Sequence, residues 1–444
     1  MAPLKSTLFN VLLVFASGTS WSMDLAQCYQ EALGQDATLR AARASAEAGR
    51  EVVPQARAQL LPNVSASLSG NSNRLSSTSP NGLGISTTTD RNYTSHGETL
   101  TLRQPIYRKY LLDNYRQAGA VLRDVEATLE AEVQNLAIKV STAYFDALLA
   151  EEQHSLVKAQ LAIYTIQLEA ARKLLKAGSG TRTDIDDVQS RLDMTQALEF
   201  EARLNMQFTR SQLQVMVNRK IDMLAPLDAT RLTLTPPQPD SLEYWTERAE
   251  LSSPEMMVLR ARLDAATLDI EKAKAGHAPT LDAVAQWARS SSENTLNTQS
   301  STDQKSVGLQ LTIPLYGGGG VDSSIRQTVA AKVRAQEVLE ANRRDLGMRV
   351  QREFRGVTEG VLRVKALEQA VRSTEQSVQS SQKSFQGGSR TRIDVLNAEN
   401  NKMISMRDLA QARHAYLLAH LRLLALANEA DSKAIDGINQ YLKH

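Results

Sequence analysis

Two carboxylates, Asp184 and Asp394, occupy the same place in two copies of one short pattern. One copy reads Gly178-Ser179-Gly180-Thr181-Arg182-Thr183-Asp184-Ile185 and the other Gly388-Ser389-Arg390-Thr391-Arg392-Ile393-Asp394-Val395. Glycine turns the chain in each, and the acid falls in the first turn of the helix that follows, where negative charge suits the helix dipole. Acids so placed cap helices. Gathered around one axis, they would also repel one another and attract cations. Both readings stay open at this point. Asp186 and Asp187 lie beside Asp184. Other chemistry finds no support. The histidines at 96, 154, 277, 414, 420 and 444 lack metal-ligand spacing, and His414 and His420 fall on different sides of a helix. There is no phosphate-binding loop and no nucleophile elbow. The chain is therefore expected not to be an enzyme and to need no cofactor or metal.

The doubled pattern belongs to a doubled chain. Gln104-Pro105-Ile106-Tyr107 is echoed by Ile313-Pro314-Leu315-Tyr316, and Leu61-Pro62-Asn63-Val64 by Ala278-Pro279-Thr280-Leu281, in the same order. Landmarks repeated in order mark a structural repeat, which governs any fold assignment. Each copy reads short helix, helix, strand, strand, very long helix, long helix. The first repeat is expected over 23–221 and the second over 241–428. An extended connector at 222–240 carries Pro226, Pro236, Pro237 and Pro239, and a tail follows at 429–444.

From Asn63 the hydrophobic period changes to two. Val64, Ala66 and Leu68 alternate with serines, and Leu100 and Leu102 with Thr99, Thr101 and Arg103. In the second copy Leu281, Ala283, Ala285 and Trp287 alternate with polar or small residues, as do Val307, Leu309, Leu311 and Ile313. Strands are predicted at about 63–72, 94–104, 281–289 and 306–313. Ser-, Thr- and Asn-rich stretches at 70–92 and 290–306 read as hydrated loops. An apolar face opposite one of Ser, Thr, Gln and Gly is the pattern of an outer-membrane barrel with a wet lumen, and it also fits the edge of a soluble sandwich. Four strands are too few to close a useful barrel, so several subunits would have to share one.

The remaining length is helical. Tyr107 to Ala177 contains no proline, and a helix of that length reaches about 100 Å. Apolar positions Val125, Leu129, Val133, Leu136, Val140, Tyr144 and Ala147 keep to one face, as do Leu346, Val350, Phe354, Val357, Val361 and Val364 in the second copy. Their spacing gives a nearly straight or slightly right-handed coil. Long antiparallel helical hairpins are predicted at about 107–217 and 319–427. The composition agrees: of 444 residues 42% are hydrophobic but only 5% aromatic, which suits long helices better than a thick core. A net charge of +2 gives no basis for nucleic-acid binding.

Residues 1–22 have the form of a secretory signal peptide, with Lys5, an apolar Leu8–Ala16 stretch, and small Ser20 and Ser22 before a cut at Met23. The stretch is about half the ~20 residues that a spanning helix needs. No later segment is long and apolar enough to span as a helix, but an exported chain can still enter a membrane as a β-barrel. Cys28, the single cysteine, cannot form an internal disulfide and lacks the small preceding residue of a lipidation site. It reads as a buried structural cysteine.

Taken in order, the signal peptide, the duplicated units, Leu61-Pro62, the Pro105-Ile106-Tyr107 and Pro314-Leu315-Tyr316-Gly317-Gly318-Gly319 transitions, and the Gly388–Asn397 turn resemble the TolC family of bacterial outer-membrane efflux proteins. The resemblance covers about residues 24–428 and is nearest the branch serving type I protein secretion. It implies a mainly α chain with a β-barrel portion. Duplicated helical hairpins would form a periplasmic α-barrel, and four strands per chain a shared 12-stranded outer-membrane barrel in a homotrimer. It also implies partners: a periplasmic adaptor (membrane fusion) protein, an inner-membrane ABC transporter or proton-driven pump, and outer-membrane lipid. Pro62, Pro105, Pro279, Pro314, Gly317 and Gly318 would stand at the junction of barrel and tunnel. Matched to the family's aperture, Arg390 takes the tethering-arginine place, expected to reach an acid such as Asp184. Asp394 takes the first ring-carboxylate place and Asn397 the second, where the acid is missing; Asp184 and Asp187 could supply that charge. Phe385 stands at the usual tethering tyrosine. A soluble periplasmic coiled-coil adaptor is the second reading, and it requires no bare apolar sheet face.

Overall fold

The computed structural model describes residues 22–80, 82, 84–293 and 299–443. The signal-peptide reading, apart from Ser22, lies outside them, as do residues 81, 83 and 294–298 of the expected loops. The described elements run α1 (Leu25–Gln35), α2 (Ala37–Arg50), α3 (Val52–Ala58), β1 (Asn63–Pro80), β2 (Ser86–Arg108), α4 (Lys109–Lys176), α5 (Arg182–Val217), α6 (Leu242–Ser252), α7 (Pro254–Lys274), β3 (Thr280–Glu293), β4 (Gln299–Thr312), α8 (Gly320–Gln386), α9 (Arg392–Leu426) and α10 (Ser432–Asn439). The chain forms two compact units, and α4 and α8 contribute residues to both.

One unit, residues 38–133 and 246–349, holds the sheet. Its four strands are antiparallel and pair in sequence order, so β1 and β4 are its edges. The strands are much longer than expected. Pairing runs without a break from Asn63↔Arg103 to Pro80↔Ser86, through the stretch read as a hydrated loop. Serine and threonine there support a ladder instead of a loop, because β-branched Thr suits extended backbone and short hydroxyls bond across strands. Thr78 and Thr88, for example, stand 2.8 Å apart, hydroxyl to hydroxyl. The second hairpin likewise pairs from Thr280↔Thr312 out to Glu293↔Gln299. Helix α2 lies against α4 at Gly49, where a Cβ would stand 2.7 Å from the Val125 side chain. Reciprocal ion pairs, Arg123 to Asp264 and Arg262 to Asp124, join α4 to α7.

The other unit, residues 22–37, 134–245 and 350–443 of the described chain, is helical. Here the periodic apolar positions are covered: Leu136, Val140, Tyr144 and Ala147 on α4, and Val350, Val357, Val361 and Val364 on α8, are all buried. Tyr164, Leu168, Val188, Leu192 and Leu396 form one core shared by α4, α5 and α9. Cys28 is buried on α1, with its thiol pushed up to about 12 by loss of solvent and by the Asp24 and Glu31 charges.

The tail at 429–444 is not a loose end. It folds as α10 and then pairs Leu442 with Leu227 of the connector, while the other side of the connector pairs Leu224 with Met23. The backbone of Asp228 donates to Tyr441 O at 2.8 Å, and Lys443 to Pro226 O at 2.9 Å. Beneath this junction Tyr144, fully buried, places its hydroxyl 2.9 Å from Ala225 O and 3.3 Å from Met23 O. The connector's prolines leave it extended, and an extended segment satisfies its backbone groups by pairing with whatever chain lies beside it. Met23 O also accepts from Ala225 N, so replacing Tyr144 by Phe would leave Ala225 O short of a donor, at a cost of about 1–3 kcal/mol. Tyr144→Phe is expected to lower the midpoint of thermal unfolding followed by circular dichroism. An unchanged midpoint would show that the hydroxyl does not hold the junction.

Candidate functional site

Residues facing each other across a ladder share a face of the sheet. The register therefore sorts every strand residue. Val64, Leu102, Ala285 and Val307 form one row, and Ala66, Leu100 and Trp287 lie in the next, which Lys305 of β4 completes. On the other face Ser65, Thr101, Gln286 and Ser306 form a row, with Ser67, Thr99, Ala288 and Gln304 beside it. The apolar face is bare: Leu68 is 82% exposed, Val307 88% and Leu309 70%. The polar face is open as well, with Ser65, Gln286 and Ser306 exposed. A sheet in water hides such a face; this one presents it. Among the described residues no helix is long and apolar enough to cross a membrane.

At the helical end of the sheet the sequence landmarks take up their places. Pro62 and Pro279 immediately precede β1 and β3, and Pro314 follows β4, each where a ladder stops and a missing N–H does no harm. Pro105 differs from expectation. It lies inside β2, which runs on to Arg108 and passes directly into α4. The register shifts between Pro105 and Tyr107, so this proline marks a β-bulge instead of the strand's end. In the second copy Gly317 opens the turn into α8, and Gly318 and Gly319 have φ of 62° and 79°, a region that L side chains rarely occupy.

At the far ends of the hairpins both acids are caps. Asp394 Oδ2 accepts from Thr391 N at 2.9 Å and from its hydroxyl at 2.8 Å, while Asp394 N donates back to Thr391 Oγ1 at 3.3 Å. Asp184 and Thr181 repeat this box at 3.0, 2.6 and 3.1 Å. These bonds hold both carboxyls below the usual range. The Thr181 hydroxyl leads for Asp184, with Arg392 adding attraction; the Thr391 backbone N–H leads for Asp394, with Arg390 adding to it. The expected bond from Arg390 to Asp184 is not made. Arg390 instead donates to buried Ser381 Oγ at 2.9 Å, within its own hairpin. Phe385 lies beneath the Arg392 guanidinium, 4.9 Å from ring centre to Cζ, so the lost tyrosine hydroxyl is replaced by a cation–π contact. Asp187 is half-buried, and Asp186 accepts from Arg182 at 3.3 Å.

Two ties between the hairpins were not foreseen. Asn397 Oδ1 accepts from Arg191 of α5 at 2.7 Å, so the residue without a charge acts as a bridge. Glu399, nearly buried on α9, accepts from Gln167 Nε2 of α4 at 2.9 and 2.8 Å and from Gln382 of α8 at 3.4 Å. Burial raises its pKa above the usual value, and the two amides only partly offset that. A single Glu in the polar run Asn397–Asn401 gave no signal of burial; only the position on the α9 face turned toward α4 could have marked it. Arg191 also lines a cleft of about 420 Å³ among α4, α5 and α9, with Tyr164, Met194, Leu198 and Ile404.

An inside-out sheet with open edges, joined directly to helices about 100 Å long, defines a subunit of an outer-membrane channel. The model of the "Outer membrane efflux protein" family matches residues 28–219 and 245–429, and the chain belongs to that family. It is 32% identical to the "Proteases secretion protein PrtF" of Dickeya chrysanthemi, over 96% of this chain and 93% of that one. It is 30% identical to the "Alkaline protease secretion protein AprF" of Pseudomonas aeruginosa, over 98% and 91%. The fold matches the solved outer membrane protein VceC of Vibrio cholerae with a TM-score of 0.76 at 19% identity, covering 92% of this chain and 97% of that one. The protein is an outer-membrane channel protein, not an enzyme.

A charge on the lipid-facing side of such a sheet costs about 2–4 kcal/mol at the bilayer midplane, while the inner side tolerates polarity. Leu102→Arg and Leu309→Arg are therefore expected to lose membrane assembly, measured by urea-resistant outer-membrane recovery, where Thr101→Arg and Ser306→Arg retain it. Equal recovery would contradict the assignment of faces. Glu399 gives a pH test. A raised carboxyl pKa favours the fold at low pH, and that contribution is lost as pH rises from the usual glutamate value through the shifted one. Glu399→Gln should thus raise the unfolding midpoint at pH 7.5 and have little effect at pH 4. The opposite order would mean that the ionised carboxylate is the stabilising form.

Proposed function

We propose that three copies of this chain form one exit duct for a type I protein secretion system. The observation that carries the reading is the sheet: four strands, a bare apolar face, and a free edge on each side. Four strands are too few to close a barrel, and three chains would supply twelve. The names of PrtF and AprF favour secreted proteases as cargo over drugs. The duct would work with a periplasmic adaptor and an inner-membrane ABC transporter or proton-driven pump. Pro62, Pro105, Pro279, Pro314, Gly317 and Gly318 would mark the junction between the shared barrel and the helices. Asp394, Arg390, Asp184, Asp187 and Asn397 would line the inner aperture. Their caps keep Asp184 and Asp394 ionised into acidic pH, which supports a lasting negative ring.

The first test is location and mass. The protein is expected in the outer-membrane fraction with a mass of three chains in native membranes, and a stable monomer there would contradict the duct. Restored protease export in a strain lacking PrtF or AprF would support the cargo assignment. The aperture is tested in planar bilayers. Asp394→Asn keeps an oxygen for the cap but removes the charge, so cation preference should fall. Arg390→Ser removes the bond to Ser381 and should raise single-channel conductance while trimers still assemble. Parental conductance in both variants would leave the turns as helix caps only.

A further inference from the structure

The polar face of the sheet carries little charge, and that charge is unbalanced. Over the paired residues, β1 offers this face Ser, Asn and a single Leu, and β4 offers Ser, Thr, Gln and Gly. Charge appears on β2, as Arg91, Arg103 and Arg108, and on β3, as Asp282 alone. Arg108 is there because of the bulge. Without the shift at Pro105–Tyr107 its side chain would fall on the apolar face, since successive residues alternate sides.

Both nearby arginines converge on the one acid. Arg108 spans Asp282 with Nε to Oδ1 at 2.8 Å and Nη2 to Oδ2 at 2.5 Å. Arg103 reaches Oδ2 with Nε at 3.0 Å and Nη2 at 2.6 Å. Asp282 is 2% exposed, and the forked Arg108 contact alone neutralises it. Arg103 is then surplus, and its side chain is 48% exposed. Lateral neighbours in a closed barrel would be β1 and β4 of other copies, whose polar faces bring no acid.

We propose that Arg103, Arg108 and Asp282 form a cationic collar inside the barrel, at its helical end, that attracts anions and the carboxylate groups of passing cargo. The proposal rests on the trimeric duct reading and adds a second charged stage to it, opposite in sign to the aperture acids. Three copies set one surplus guanidinium each around the axis. Rings of arginine favour anions in pores, and low-dielectric walls focus their field.

The test uses the purified full-length trimer in planar bilayers under a salt gradient, with sodium tripolyphosphate added to the strand side. The parent should be blocked by tripolyphosphate. Arg103→Gln should raise the half-blocking concentration at least ~tenfold and move the reversal potential toward cations. Gln310→Glu, which faces Asp282 across the β3–β4 ladder and leaves the cluster's own residues in place, should act in the same direction. Arg103→Lys, which keeps the charge, should keep the block. Unaltered block and reversal potential in both Arg103→Gln and Gln310→Glu would overturn the collar while leaving the duct intact. A trimer that inserts but never conducts would overturn the duct itself.

Discussion

The structure depends on what happens to the free backbone groups along β1 and β4. The apolar face of the sheet is exposed, so its place is in hydrocarbon, where every unpaired N–H or C=O costs several kcal/mol. In water an open edge is an aggregation hazard; in a bilayer it is not tolerated. A chain with this sheet must find strands for both edges, and a four-stranded sheet cannot curl tightly enough to supply its own. Further copies of the same chain meet the need, because β4 of one can pair with β1 of the next and close the ring. The strand-ending prolines at 62, 279 and 314 and the bulge at Pro105 follow from the same constraint, since they stop or bend the ladders where the chain leaves the sheet.

Much of this was legible in the residues. Strict alternation at Val64–Leu68, Leu100–Leu102, Leu281–Trp287 and Val307–Ile313 gave the strands and their faces, because a period of two is read directly from side-chain type. The long helices followed from proline-free periodic runs, and Leu136, Val140 and Tyr144 are buried as their spacing requires. Strand length was not legible. Serine and threonine runs have the composition of loops, and only cross-strand partners make ladders of them. The tail at 429–444 was opaque for a similar reason: Leu442 pairs with Leu227, a contact that no local pattern announces.

The turns of the two helical hairpins were half legible. Thr181 with Asp184 and Thr391 with Asp394 carry the spacing of a capping box, and both boxes are formed. The partner of Arg390 was not foreseeable, since no local pattern marks Ser381, nine residues earlier, as its acceptor. Glu399 shows the limit most plainly. Its type suggests a solvated surface, yet Gln167 and Gln382 hold it in a nearly buried place. Such polar ties specify which helices meet without adding much stability, because the buried charge is costly where it sits.

Cross-linking across the free edges addresses the shared barrel most directly. Cys28, the one native thiol, is buried and gives little background. Single cysteines placed along residues 63–72 of β1 can be combined with single cysteines along 303–312 of β4 and oxidised in membranes. The shared barrel requires disulfides between chains, in an alternating ladder of positions, that accumulate as covalent trimers. Disulfides confined within one chain, or none at any combination, would contradict a barrel built from three copies.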